Sequence, residues 1–389
     1  MTEKDSLGYD IMYTYKWETG IFPGKNDIKQ GLDVTGKGGD YLHIPDGYIA
    51  PQVAVPALAA MVPVWRTSLH KVKNKIGEKN LPELALGAAF SFTVMMMNVP
   101  VAGGSSAHAV GAVLIAVLLG PWAAVSAVSA ALLIQALFFG DGGILAYGLN
   151  CLNMAVAMPF AGYAFYRVLA GNSLPGSRRN VLSAAAGGYV GINLAALLAA
   201  VEFGIQPALF HTASGAALYC PYPLSVSIPA MMSAHLLVAG PLEAAVTGAA
   251  SAYIAKAAPD MFLQNQNAAV RLPATSAEPK RTAKSFWARY KAVVIPLIVL
   301  AALTPLGLLT HGTAWGEWSA EEVRRTVGYV PAGMKKMADF WKALMPDYAI
   351  PGLGSKSGYI AAAAVGCGLI LLLIFLLSLA ARHSRNEDR

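Results

Sequence analysis

Across 389 residues, 56% are hydrophobic and only 13% charged, whereas a soluble chain of this size usually holds about 25% charged residues. That excludes an ordinary soluble domain. The formal net charge of +7 does not signal nucleic acid, because the basic residues sit in short loops between apolar segments, the pattern of cytoplasmic loops.

Residues 1–41 are polar, rich in Gly, Lys and Asp, and hold no apolar run long enough for a signal peptide. They are expected to form a loosely attached extension. The codons of KGGDY, Lys37 to Tyr41, can spell a purine-rich ribosome-binding site, and Leu42 is what an internal TTG codon encodes. One expectation is therefore that translation starts at 42, with Met in place of Leu42. A genuine but dispensable extension is the other.

From residue 50 onward apolar segments alternate with short polar breaks, and each is expected to be a helix because backbone in lipid must satisfy its own hydrogen bonds. Spans are expected near 50–66, 83–98, 105–119, 121–139, 144–168, 181–203 and 224–257. A polar linker over 261–291, with TSAEPKRTAKS, separates these from two more spans at 292–312 and 358–381 and a tail at 382–389. The expected fold is all-α: a polytopic membrane bundle, with about seven spans in a core domain over 42–260 and a two-span accessory hairpin over 292–381. The hairpin brackets a small extracytoplasmic segment, 313–357.

Basic clusters lie at 66–79, 167–179, 280–291 and 382–389. With nine crossings they share one side, and the positive-inside rule makes it, and the C-terminus, cytoplasmic. His43, the 98–108 loop, the FGDGG turn at 139–143 and the 204–222 loop then fall together on the outside.

The sequence contains no GxxxxGK[ST] phosphate loop, no HExxH and no GxSxG, so neither ATP hydrolysis nor protease or esterase chemistry is expected of this chain. Three cysteines, Cys151, Cys220 and Cys367, form no CxxC spacing and no disulfide framework. A lone histidine is more often a hydrogen-bonded structural group than a metal ligand. Of seven histidines, His70 and His383 fall in basic cytoplasmic segments. His43 and His108 stand apart because each sits at an outside loop–helix junction rich in Gly or Pro, where backbone can approach an ion. Asp46, following His43, is a candidate to orient an imidazole, with capping or fixing a turn as the equal alternative. Asn98, Ser105, Ser106 and Asp141 are polar loop residues able to hold the loops together; Asn98 and Ser105 are carried with Asp46 as candidate supports of the site. Glu202, His235 and Glu243 are ionisable groups in or near apolar spans, expected to pair helices or meet a partner. The Met95 to Met97 run is expected to pack.

HIPDGYIAP (His43 to Pro51), NVPVAGGSSAHAVGAVLIAVLLGPWAA from Asn98 and FGDGGILAYGLNCLNMA from Phe139 resemble the CbiM/NikM family, the substrate-binding components of energy-coupling-factor importers for cobalt and nickel. The resemblance runs from about Leu42 to Lys256, and the interval from His43 to His108 is that between the family's two metal-binding histidines. It implies a near-planar four-nitrogen site for Co(II) or Ni(II) made by the terminal amine at position 42, the backbone and ring nitrogens of His43, and the ring of His108. Because Leu42 follows Tyr41 through a peptide bond, a free amine requires a start or cleavage at 42. No permanently bound cofactor is implied. The implied partners are a transmembrane coupling protein like CbiQ/NikQ and cytoplasmic ATPases like CbiO/NikO, in a bacterial or archaeal plasma membrane, with the metal feeding cobalamin synthesis or nickel enzymes. TPLGLLTHGTAWGEW (Thr304 to Trp318) and PDYAIPGL (Pro346 to Leu353) resemble the two-span accessory component CbiN/NikN, with His311 an interfacial residue. The rival expectation is a secondary divalent-metal carrier that works without an ATPase.

Overall fold

The computed structural model describes residues 43–75, 81–101, 105–262, 286–310 and 314–387. Apolar runs become helices, as backbone without access to water demands: Pro51–Lys75, Leu81–Met95, Ala112–Leu119, Pro121–Ile134, 147–170, Arg178–Gly204, 224–257, Phe286–Leu303 and Ser355–Glu387. Among the described residues five segments are long and apolar enough to cross a membrane: Pro121–Phe139, Arg178–Leu209, Leu224–Ala257, Tyr290–Leu309 and Ser355–Leu377. Leu81–Met95 is apolar but shorter. Leu237 and Val168 lie about three-quarters exposed, and Ile298 and Val299 more than half; such surfaces suit lipid. The protein is a helical membrane bundle.

The expected third span takes a different form. Val99–Val101 pairs antiparallel with Ser105–Ala107, with Val99 opposite Ala107. Only Ala112–Leu119 is helical, and all eight of its residues are buried. At 1.5 Å per residue it is about 12 Å long, too short to cross a bilayer; it is an interior half-helix.

Close packing comes from small residues. Where 147–170 crosses Arg178–Gly204, a Cβ on Gly162 would stand 2.7 Å from the Gly187 carbonyl oxygen, and one on Gly187 2.6 Å from that of Gly162. Two bare backbones touch there, as helices without a hydrophobic drive between them require.

Three helices carry a π turn: Gln135–Phe139, Cys151–Ala157 and His235–Ala239. Such turns interrupt the regular ladder and gather at functional sites. The accessory helices pack along Leu81–Met95. Tyr290 donates to the Glu83 carboxylate at 2.9 Å, Tyr359 to the Met96 carbonyl at 3.1 Å, and Gly366 leaves room for the Phe92 ring.

Candidate metal centre

The segment 43–50 is threaded into the bundle and tied there by its backbone. Asn150 brackets Ile44, accepting from its amide and donating to its carbonyl, both at 3.1 Å. The Gly143 amide donates to the same carbonyl at 2.9 Å, and Gln206 accepts from the Ala50 amide at 3.0 Å. The Asp46 carboxylate accepts from the amides of Ile144, Leu145 and Ala146 at 2.9–3.3 Å. Burial pushes its pKa above the ordinary value of 3.8, with these amides opposing the rise. Asp46 therefore fixes the turn after the DGG motif and does not orient an imidazole. The motif explains itself locally: a Cβ on Gly143 would collide with Asp46, and one on Gly142, at φ +86°, would press 3.0 Å from His43 Cβ.

His43 and His108, 65 positions apart in sequence, meet in space with ring centroids 5.4 Å apart and planes at 73°. His43 is 2% exposed. Its Nδ1 donates to Asp141 Oδ1 at 2.8 Å. The other carboxylate oxygen, Oδ2, accepts from the Tyr348 hydroxyl at 2.5 Å and from Gln135 Nε2 at 3.3 Å. With its proton on Nδ1, His43 keeps a lone pair on Nε2, which is buried and has no hydrogen-bond partner. His108 Nδ1 lies 2.9 Å from the Ala109 carbonyl oxygen, which can only accept, so its Nε2 also carries a lone pair.

His108 stands between strand Ser105–Ala107 and the half-helix, and Glu243 holds that junction. Its buried carboxylate accepts from the Val110 amide at 2.7 Å and the Gly111 amide at 3.1 Å, capping the half-helix. His43 and His108 line a cavity of about 70 Å³ together with Asn153, Met154 and His235 from two of the π turns, and Trp315 and Glu317 from the accessory segment. His235 Nδ1 contacts the Met231 carbonyl at 2.8 Å. Asn153 donates to Glu202 at 2.8 Å.

Of the candidate supports, Asn98 is buried with neither side-chain atom hydrogen-bonded, and Ser105 likewise has a buried, unpartnered hydroxyl. Neither contributes a bond to the histidines. Leu42 and His311 lie outside the described residues. Sequence reasoning placed Asp141 only among loop supports and missed Gln135, Asn150 and Tyr348. Polar residues inside apolar runs, as in GLNCLNMA, were the available signal; for Tyr348 there was none. Among the described residues no group of three or more His, Cys, Asp or Glu side chains is arranged to hold a metal. Two imidazoles alone underfill a divalent ion. A fused chelate with the His43 amide closes on Nδ1, the nitrogen here bonded to Asp141; that chelate requires the ring to turn.

A helical membrane bundle with two imidazoles lining one cavity defines a membrane protein with a candidate cation pocket. The sequence of residues 43–261 matches the family described as CbiM, the cobalt uptake substrate-specific transmembrane region, and residues 290–383 match the PDGLE domain. The chain belongs to the CbiM family, with a CbiN-like region at its C-terminal end. It is 45% identical over 347 residues to the fused nickel transport protein NikMN of Rhodobacter capsulatus, covering 85% of this chain and 95% of that one. It is equally 45% identical over 343 residues to the probable fused nickel transport protein LarMN of Lactiplantibacillus plantarum, covering 86% and 96%. A crystal structure of a truncated transition metal transporter superposes with a TM-score of 0.52 at 54% identity, over 55% of this chain and 98% of that one.

Proposed function

We propose that this chain is the substrate-specific, metal-capturing component of an ATP-driven importer of Ni(II) or Co(II). The observation that carries the reading is the meeting of the His43 and His108 rings at 5.4 Å beside a cavity that both line. Imidazole suits late first-row divalent ions, and planar nitrogen donors favour Ni(II) over Zn(II), which prefers a tetrahedron. Relatives matching most of the chain are named nickel transport proteins, and the family is described by cobalt uptake. The basic clusters, taken as cytoplasmic by the positive-inside rule, support a metal face outside the plasma membrane and a cytoplasmic C-terminus. ATP hydrolysis falls to partners, a transmembrane coupling protein and cytoplasmic ATPases of the CbiQ/NikQ and CbiO/NikO kinds, since this sequence has no phosphate-binding loop.

Metal uptake by cells expressing this chain with and without those partners tests the role. Uptake that needs the ATPases supports it; uptake by the chain alone that collapses with an uncoupler establishes a secondary carrier instead. For the site, His108→Ala is expected to abolish high-affinity Ni(II) binding by the purified protein while leaving its circular dichroism unchanged. Retained binding would show that the ligands lie elsewhere.

A further inference from the structure

Away from the metal cavity, a cleft of about 480 Å³ lies between the first helix, Pro51–Lys75, and the last, Ser355–Glu387, with Pro121–Ile134 as its floor. Val72, Leu84, Leu133 and Ile374 line it. Leu69 and Leu377, also in its walls, are 47% and 44% exposed, so the cleft is continuous with the surface that faces lipid. The polar groups of its walls are bonded to one another. Trp65 Nε1 donates to the Ser129 hydroxyl at 3.0 Å, the Tyr147 hydroxyl donates to the Ser129 carbonyl at 2.9 Å, and the Ser126 and Ser68 hydroxyls share a hydrogen bond at 2.6 Å. The Trp65 and Tyr147 rings stack at 5.4 Å and 24°. Water entering the cleft would find few partners, whereas hydrocarbon needs none.

One end of the cleft has a different character. His70 and Lys73 line it there, at the basic end of the first helix. The Asn74 amide donates to His70 Nε2 at 2.8 Å, which leaves the ring proton on Nδ1, able to donate. Among the described residues no carboxylate lines the cleft and none pairs with Lys73. A ligand suited to both ends has a long hydrocarbon tail and an anionic head, and basic pockets between membrane helices hold lipid headgroups of that kind. We propose that this cleft binds one anionic phospholipid of the surrounding bilayer. An acyl chain lies between the first and last helices against Trp65 and Tyr147, and the phosphate meets Lys73 and His70. The chain supplies the dispersion contacts that a void between the core and the accessory hairpin would forfeit.

The test is titration of the full-length chain, purified in detergent, with phosphatidylglycerol or with phosphatidylcholine of the same acyl chains, counting bound lipid by native mass spectrometry. One phosphatidylglycerol per chain is expected to bind in preference to phosphatidylcholine. Lys73→Gln is expected to weaken phosphatidylglycerol binding about fivefold. Lys256→Gln, at an exposed residue in the last turn of another helix, is expected to leave it unchanged. No preference between the lipids, or equal losses in the two variants, would overturn the proposal. Glycerophosphate, the head without chains, is expected not to compete; competition at the lipid's own concentration would mean an ion site only and overturn it. The tail is located with phosphatidylglycerol brominated on its acyl chains, added at equimolar amount, which is expected to quench tryptophan fluorescence less in Trp65→Phe than in the parent. Undiminished quenching would overturn the proposal. If Trp65→Phe melts early, Ala130→Leu, which adds bulk to the floor of the cleft, replaces it: weaker lipid binding supports the proposal and unchanged binding overturns it. Loss of the lipid on assembly with a coupling protein would give the cleft to a helix of that protein and overturn the proposal as well.

Discussion

Two aspartates lie close to His43, and their surroundings give them different duties. Asp46 faces three backbone amides; Asp141 faces one imidazole, one phenol and one amide side chain. Asp46→Ala leaves three amides without their acceptor and is expected to destabilise the protein by about 2–3 kcal/mol, read from thermal unfolding in detergent. Asp46→Asn exposes a linkage. Because burial raises the folded pKa of Asp46 above 3.8, its contribution to stability is fully present below that value and is lost as pH rises through the raised one. The parent is therefore expected to gain in melting temperature over Asp46→Asn as pH falls through that window. Metal affinity should move the other way, falling as pH falls, because protons compete with the metal for its nitrogen donors; a Ni(II) titration from pH 8 to 5.5 checks it. The sequence made His43 and His108 legible through their Gly- and Pro-rich settings. It could not decide between Asp46 and Asp141, since the nearer residue in sequence, three positions away, turns outward to the 144–146 turn, and the one 98 positions away makes the contact.

Among elements, the hydropathy of the chain located the helices well, because a long apolar run has few other ways to satisfy its backbone in lipid. It failed where burial is in protein. Strand Ser105–Ala107 and the eight-residue half-helix read as one span over 105–119, since periodicity cannot separate a buried strand from a buried helix over so short a length. The π turns were illegible for a similar reason: one added residue in a turn leaves composition unchanged. Glu243 was visible as an ionisable group in a span, and its duty, capping the half-helix beside His108, came only with tertiary structure. Glu243→Ala removes the acceptor from two amides at that junction. It is expected to cost about 2–3 kcal/mol and to weaken Ni(II) binding by letting His108 drift. Unaltered Ni(II) affinity with the expected loss of stability would confine Glu243 to the scaffold.

At the scale of the whole molecule, the accessory hairpin and the core domain share one interior. Tyr48 donates to the Trp318 carbonyl at 2.6 Å, and Tyr48, Phe203, Trp315, Tyr222 and Trp318 form a continuous aromatic cluster over the cavity. Further along, Gly366 of the last helix accepts the Phe92 ring. Gly366→Leu would push that helix off Leu81–Met95 and is expected to lower the melting temperature of the protein in detergent, measured against Gly368→Leu, where a Cβ meets open space.

Trp315 travels on the same polypeptide as the two imidazoles whose cavity it lines. A separate subunit would have to withstand dilution by the strength of its own interface, whereas a covalent connection fixes the local concentration whatever the expression level. Each pocket then owns one such wall and cannot lose it by dissociation. Damage to the contact should surface as a graded fall in metal retention, the same at every protein concentration.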